Sequence, residues 1–238
     1  MALILLTELR YESFTPHPIR HPLPVTLPFI DAATTRRFFY DERLQLAVHI
    51  AIFLVLQNLP QYVPVKAVGI LFTIWILWTS MQLCVRYKTS PALFGPIYLA
   101  NSLESFWTET WHNAFASPCY SLAYKPTISL LKILRMPRAL SRGLAVISGF
   151  GLMAIFHVYS LKPMLDDEGI RRIGLFFTLN GVFTVLEVAV WGKTRHWLRA
   201  LCAWIIEISL ASWTVAAIKI ADGVLSADWK GLCRPVGR

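Results

Sequence analysis

His157, Glu187 and Glu207 are a histidine and two carboxylates set inside long apolar runs of this 238-residue chain. Ionisable side chains are costly at such positions and mark functional sites by default. A neutral imidazole takes a proton from a hydroxyl near neutral pH, which is the work of a general base. Buried carboxyls pair with a base, line a polar cavity or carry proton chemistry of their own. A second polar pair, His112–Asn113, follows two tryptophans, Trp107 and Trp111. Hydrogen-bonding groups of that kind orient a substrate or hold a developing oxyanion. Each has a plainer reading as well. His157 can donate to a neighbouring carbonyl, Trp107 and Trp111 can rest on headgroups, and His112–Asn113 can face water.

The runs that carry these residues define the class of molecule. The chain is 55% hydrophobic and 16% charged, with mean hydropathy +0.51. Soluble domains carry about 25% charge, so disorder, a secreted disulfide scaffold and an ordinary soluble enzyme are excluded. Four runs approach the roughly 20 apolar residues that cross a bilayer. They are Ala67–Val85, Gly143–Leu161, Ile173–Trp191 and Ala200–Ile218. A fifth, Leu44–Leu59, is weaker, holds His49 and is followed by Pro60 and Pro64. Lipid offers the backbone no partner, so each run must be helical. The expected fold is an all-α polytopic transmembrane bundle of about five spans (44–63, 67–85, 143–161, 173–191 and 198–218). An irregular proline-rich arm covers 1–43, the membrane domain 44–221 and a tail 222–238. Ala2–Leu6 is too short for a signal-peptide core.

The net charge of +9 follows the same layout. With the N-terminus in the cytosol, the cytosolic segments hold 15 Lys and Arg against 8 on the other side. That is the positive-inside pattern, and it replaces the nucleic-acid reading of a basic chain. The four cysteines form no CxxC pair. No Ser-centred elbow, HExxH, P-loop or GxGxxG occurs, so neither a metal nor a bound cofactor is expected.

The cytosolic segment 86–142 is too long for a plain connection. Asn101 or Ser102 caps a helix expected over 102–116, which sets Trp107, Trp111 and Phe115 on one face and is closed by Pro118. Asn101 and Glu104 have capping-box spacing. Residues 128–140 read as an interfacial stretch with Lys132, Arg135 and Arg138. Ser148, Gly149 and Gly151 are small residues suited to close helix approach near His157.

The stretch PALFGPIYLANSLESFWTETWHNAF resembles the signature of the wax-synthase branch of the membrane-bound O-acyltransferase superfamily. Phe94, Gly95, Ser102, Leu103, Phe106, Trp107, Trp111, His112 and Asn113 carry the resemblance, with Ser148, Gly149 and His157 in the following span. Segment 175–191 with Glu187 extends it, to about residues 90–215. Thr108, Glu109 and Thr110 stand where that family usually has arginines. Its members are longer and have more spans, which implies a reduced form or a missing N-terminal portion.

The resemblance implies transfer of an acyl group from acyl-CoA, a co-substrate, to a lipophilic alcohol, at the endoplasmic reticulum. His157 is then the base. His112 or Asn113 orients the acceptor or holds the oxyanion. Phe106, Trp107, Trp111 and Glu187 flank the substrates. Lys125 and Arg135, with Lys132 and Arg138, attract the CoA phosphates. The acceptor is a fatty alcohol or a terpenoid-type natural product, and the small helix number favours the latter with an acetyl donor. Two other readings compete: a membrane terpene cyclase using Glu187 and Glu207, and a non-catalytic assembly or transport protein.

Overall fold

The computed structural model describes residues 41–85, 93–111, 115–192, 194 and 196–219. The arm over 1–40 and the tail from 220 lie outside the described residues, as do His112 and Asn113. Among the described residues every regular element is helical.

Helix α1 (Glu42–Gln57) starts at Asp41, whose carboxylate accepts from the N–H groups of Arg43 and Leu44. It leads into α2 (Val63–Val85). A short helix over 103–110, α3, opens with an α-turn at Leu103–Ser105 and widens to π-type winding at Phe106–Thr110. Helix α4 (116–133) runs through Ala116–Pro118, Cys119–Tyr124 and Lys125–Ile133. Then come α5 (Arg138–Leu161), α6 (Asp167–Trp191) and α7 (Trp197–Val215).

Helices α2, α5, α6 and α7 are long and apolar enough to cross a membrane. Helix α1, at 16 residues, is shorter than they are and packs against α2. Three helices start well before the apolar runs that mark them, α2 at Val63 rather than Ala67. Helix α5 takes in Arg138 to Arg142, directly after Pro137. Helix α6 takes in Asp167 to Arg172 because Asp166 caps Gly169 N–H at 2.8 Å and Glu168 bridges Arg171 and Arg172. Charged residues at a helix end extend the helix into the interface without belonging to its apolar core.

The antiparallel pair α5–α6 is the main packing unit. A Cβ added at Gly181 would lie 2.8 Å from Phe150 Cβ, and one at Gly174 would lie 3.2 Å from Val158. Gly143 meets Val185 in the same way at 3.0 Å. Small residues at such crossings let helices approach in the absence of a hydrophobic drive. Of the small residues Ser148, Gly149 and Gly151, two do meet a helix, and that helix is α4. Gly151 has nothing within 4 Å of its added Cβ, while Gly149 and Ser148 face α4 through Cys119 and Thr127.

The single helix expected over 102–116 is not what forms. Trp111 N–H bonds Phe106 O at 2.7 Å, an i→i−5 closure, and Trp111 itself is extended at φ −82°, ψ 166°. Thr110 O is taken by Gly95 N–H at 3.0 Å, so the helix stops there. Pro118 does not close a helix either. It lies in the first turn of α4, where a missing N–H costs nothing. The stretch 128–140 is likewise divided. Leu131 O accepts from Met136 N–H and Arg135 adopts φ 55°, ending α4 before Pro137.

Candidate active site

Two buried clusters face each other across the bundle. One gathers Phe72 and Trp75 of α2 with Leu93, Phe94, Ile97, Phe106 and Trp111. The other gathers Met153, Ala154, Ile173 and Phe177 of α5 and α6. Trp107 packs on both. Its ring meets Phe106, Trp111, Phe150, Phe176 and Phe177 at centroid distances of 5.2–6.3 Å. Its Nε1–H donates to Asn180 Oδ1 at 3.3 Å. Trp107 is thus an interior strut, and the headgroup-belt reading does not apply to it.

The Phe94–Gly95 pair holds this segment from the other side. A Cβ at Gly95 would lie 2.9 Å from Glu109 O and 3.3 Å from Thr110 Cα. Gly95 O accepts from Trp75 Nε1–H at 2.9 Å. Only glycine lets the two backbones approach so closely.

Glu187 secures the start of α3. Its carboxylate accepts from Leu103 N–H at 2.8 Å and from Glu104 N–H at 3.1 Å. Arg199 Nη2 reaches the same carboxylate at 3.0 Å and Glu104 at 3.1 Å. A carboxylate at a helix start satisfies N–H groups that no helical carbonyl can reach. The capping box itself is Ser102 with Ser105, not Asn101 with Glu104. Glu187 is accordingly a structural anchor and lies outside the cavity wall. Arg199 and Asn180 are participants that the sequence reading missed. A lone amide in an apolar run signalled Asn180, whereas Arg199 was counted only as a topology charge.

Between the two clusters lies a cavity of about 730 Å³. Its wall is hydrocarbon and aromatic, built from α2, Phe94, Phe106, Trp107, Trp111, Phe115 and the facing sides of α5, α6 and α7. The polar side chains on it are few: Gln82, His157, Ser160, Glu207 and Thr214, besides the indoles. His157 Nδ1 lies 2.9 Å from Met153 O. A carbonyl only accepts, so Nδ1 carries a proton, and in the neutral ring the lone pair is then on Nε2. The ring stacks on Phe177 at 4.2 Å and 28°. His157 is therefore an oriented imidazole on an apolar cavity. His49 shows the same i−4 bond, to Gln45 O at 2.7 Å, but stacks on Trp75 at 3.6 Å away from that wall.

The predicted residues Phe106, Trp107, Trp111 and His157 are thus brought to one cavity. Lys125 and Lys132 are exposed on α4, Arg135 in the turn after it and Arg138 at the start of α5, and none of them lines the cavity. Burial pushes the Cys119 thiol of α4 up to about 11, so it supplies no nucleophile at neutral pH. No group of His, Cys, Asp and Glu among the described residues forms a metal cluster.

The model of the membrane bound O-acyl transferase family matches residues 90–179, from the Phe94–Gly95 turn through His157 to the middle of α6. Over these residues the chain is similar to that family. The probable long-chain-alcohol O-fatty-acyltransferase 7 of Arabidopsis thaliana is 30% identical over 190 residues, 70% of this chain and 53% of that protein. The probable long-chain-alcohol O-fatty-acyltransferase 1 of the same plant is 30% identical over 108 residues, 45% of this chain and 30% of that one. The plant's acyl-CoA–sterol O-acyltransferase 1 is 28% identical over 127 residues, 52% of this chain and 36% of that one. The chain spans about half or less of the length of these relatives. No solved structure matches it. The four long apolar helices, and the likeness to these membrane acyltransferases, make this an integral membrane protein.

Proposed function

We propose that the chain transfers an acyl group from acyl-CoA to the hydroxyl of a lipophilic alcohol in the cavity beneath α3, with His157 as general base. The observation that carries this reading is the His157 ring, fixed through Nδ1 to Met153 O on an apolar cavity. Its Nε2 takes the hydroxyl proton as the alcohol oxygen attacks the thioester carbon. The tetrahedral intermediate collapses with loss of the C–S bond. The sulfur leaves as a thiolate and regains the proton from the imidazolium, giving ester and free CoA. The apolar wall keeps water, the competing nucleophile, away from the thioester.

His112 and Asn113 follow Trp111 directly, and Trp111 lines the cavity. We assign one of them the oxyanion, by hydrogen bonding. Lys125, Lys132, Arg135 and Arg138, exposed on one cytosolic segment, draw in the CoA phosphates. The acceptor is an alcohol with a bulky apolar body. Relatives named for long-chain alcohols and for sterols both support that class. Acetyl transfer to a terpenoid-type alcohol is its compact version, and residence in the endoplasmic reticulum fits an acyl-CoA arriving from the cytosol.

The test is product mass spectrometry on the purified full chain in lipid nanodiscs. Acetyl-CoA or palmitoyl-CoA is offered with a fatty alcohol, a sterol or a terpenoid alcohol. Formation of an ester in any combination supports the reading and fixes both chain length and acceptor. Loss of a terpene epoxide to a cyclic product, without acyl donor, would replace it with the cyclase reading.

A further inference from the structure

Glu207 is 4% exposed, lies on the cavity wall, and has a buried Oε2 with no hydrogen-bond partner among the described residues. A carboxyl left this way in an apolar wall carries a desolvation cost that a ligand donor would offset. It also borders a small void under α3, beside Ser102, Leu103 and Phe106. Its height relative to His157 follows from helix register. Val158 faces Gly174, and Arg172 Nη1 donates to Trp213 O. Gly169 approaches Ala217 O, and Glu187 pairs with Arg199, in the same antiparallel alignment. His157 therefore lies level with Ala211 and Ser212 of α7. Glu207 is four to five residues nearer α3, or about 6–7 Å of helix rise. The α3 end is the end at which the cytosolic segment 93–133 enters the bundle.

We propose that Glu207 is the acceptor for the amide N–H of the thioester donor, the one two methylenes beyond the sulfur in the pantetheine arm. The assignment rests on the acyltransferase reading. With the thioester carbon at His157 and the arm running toward α3, this amide is the first donor the ligand offers after the sulfur. The cavity wall carries Glu207 at a matching height. Glu187 cannot serve, being occupied by two backbone N–H groups and Arg199. Glu207 is thus a specificity residue for donors with that amide, while His157 handles the reacting atoms.

The experiment compares binding of two non-reactive thioether analogues with the same acyl-like chain, one ending in N-acetylcysteamine and one in an S-ethyl group. Tryptophan fluorescence reads it, since Trp78, Trp107, Trp111 and Trp204 line the cavity. The native chain is expected to bind the amide analogue up to about tenfold more tightly, or about 1.4 kcal/mol, which is within the worth of one hydrogen bond. Glu207→Leu is expected to remove that preference and leave the S-ethyl analogue within about twofold. Glu207→Gln, whose carbonyl still accepts, is expected to keep most of it; thermal unfolding confirms that both variants are folded. Equal affinities in the native chain, or an unchanged preference in Glu207→Leu, would overturn the assignment. So would a Glu207→Leu defect seen only with dihydroxy acceptors in the ester assay, which would move the contact to the alcohol. Turnover is not needed for the binding arm. A Glu207-dependent preference without any ester formed would overturn the acyltransferase reading and leave the amide contact standing.

Discussion

At the scale of single residues, His157 and Gly95 show how backbone partners decide what a side chain does. The His157 tautomer is set by Met153 O, one turn earlier on its own helix. His49 makes the same bond yet stacks flat on Trp75 off the cavity wall, so one local motif sets an imidazole on the cavity in one place and in the core in the other. Gly95 is different, because its role lies in an absent side chain. Gly95→Ala is expected to force apart the 94–95 turn and the Glu109–Thr110 backbone. The cost is about 1–3 kcal/mol of stability, as for overpacking elsewhere, read as a lower unfolding temperature in detergent. Cys119, with its thiol pushed up to about 11, is expected to resist maleimide at neutral pH in a variant whose other cysteines are serine. Of these features, His157 was legible because an imidazole in an apolar run stands out. The demand on Gly95 was legible only as a motif, because its cause is a backbone fifteen residues away.

At the scale of elements, α3 is the part whose placement was hardest to foresee. Hydrophobic spacing of Trp107, Trp111 and Phe115 matches one helix face, yet the backbone winds wide and then extends at Trp111. What decides this is tertiary. Gly95 claims Thr110 O, Asn180 claims Trp107 Nε1–H, and Glu187 claims the first N–H groups. None of those partners is close in sequence. Glu187→Ala is therefore expected to release α3 from α6 and to leave Arg199, 3% exposed, without its buried counter-ion. Loss of one partner of a buried pair costs about 3–5 kcal/mol, and the readout is thermal stability together with proteolysis after Lys125. Glu187→Gln is expected to be milder, since its carbonyl still accepts from Leu103 N–H. The spans were far more legible than α3. Their length and apolarity are local properties, and only their ends moved, where charged residues continue a helix past its apolar core.

At the scale of the whole molecule, the charge distribution and the central cavity are the two features to test. From the Lys and Arg surplus we propose that the 86–142 segment, and with it α3 and α4, lies on the cytosolic face. Single cysteines at Lys132 and Lys66 are expected to react with a membrane-impermeant maleimide from opposite sides of sealed vesicles; labelling from the same side would contradict the arrangement. The cavity runs from the α3 end to His157 and beyond, lined by four apolar helices and the signature aromatics. That cavity was not visible in the sequence, because it is the space that α2, α5, α6 and α7 leave between them. The most direct measurement is the rate of ester formation by native chain and His157→Ala, with matched unfolding temperatures. The account predicts a fall of at least about a hundredfold in kcat, the usual worth of a positioned base. Native turnover in a folded His157→Ala chain would contradict it.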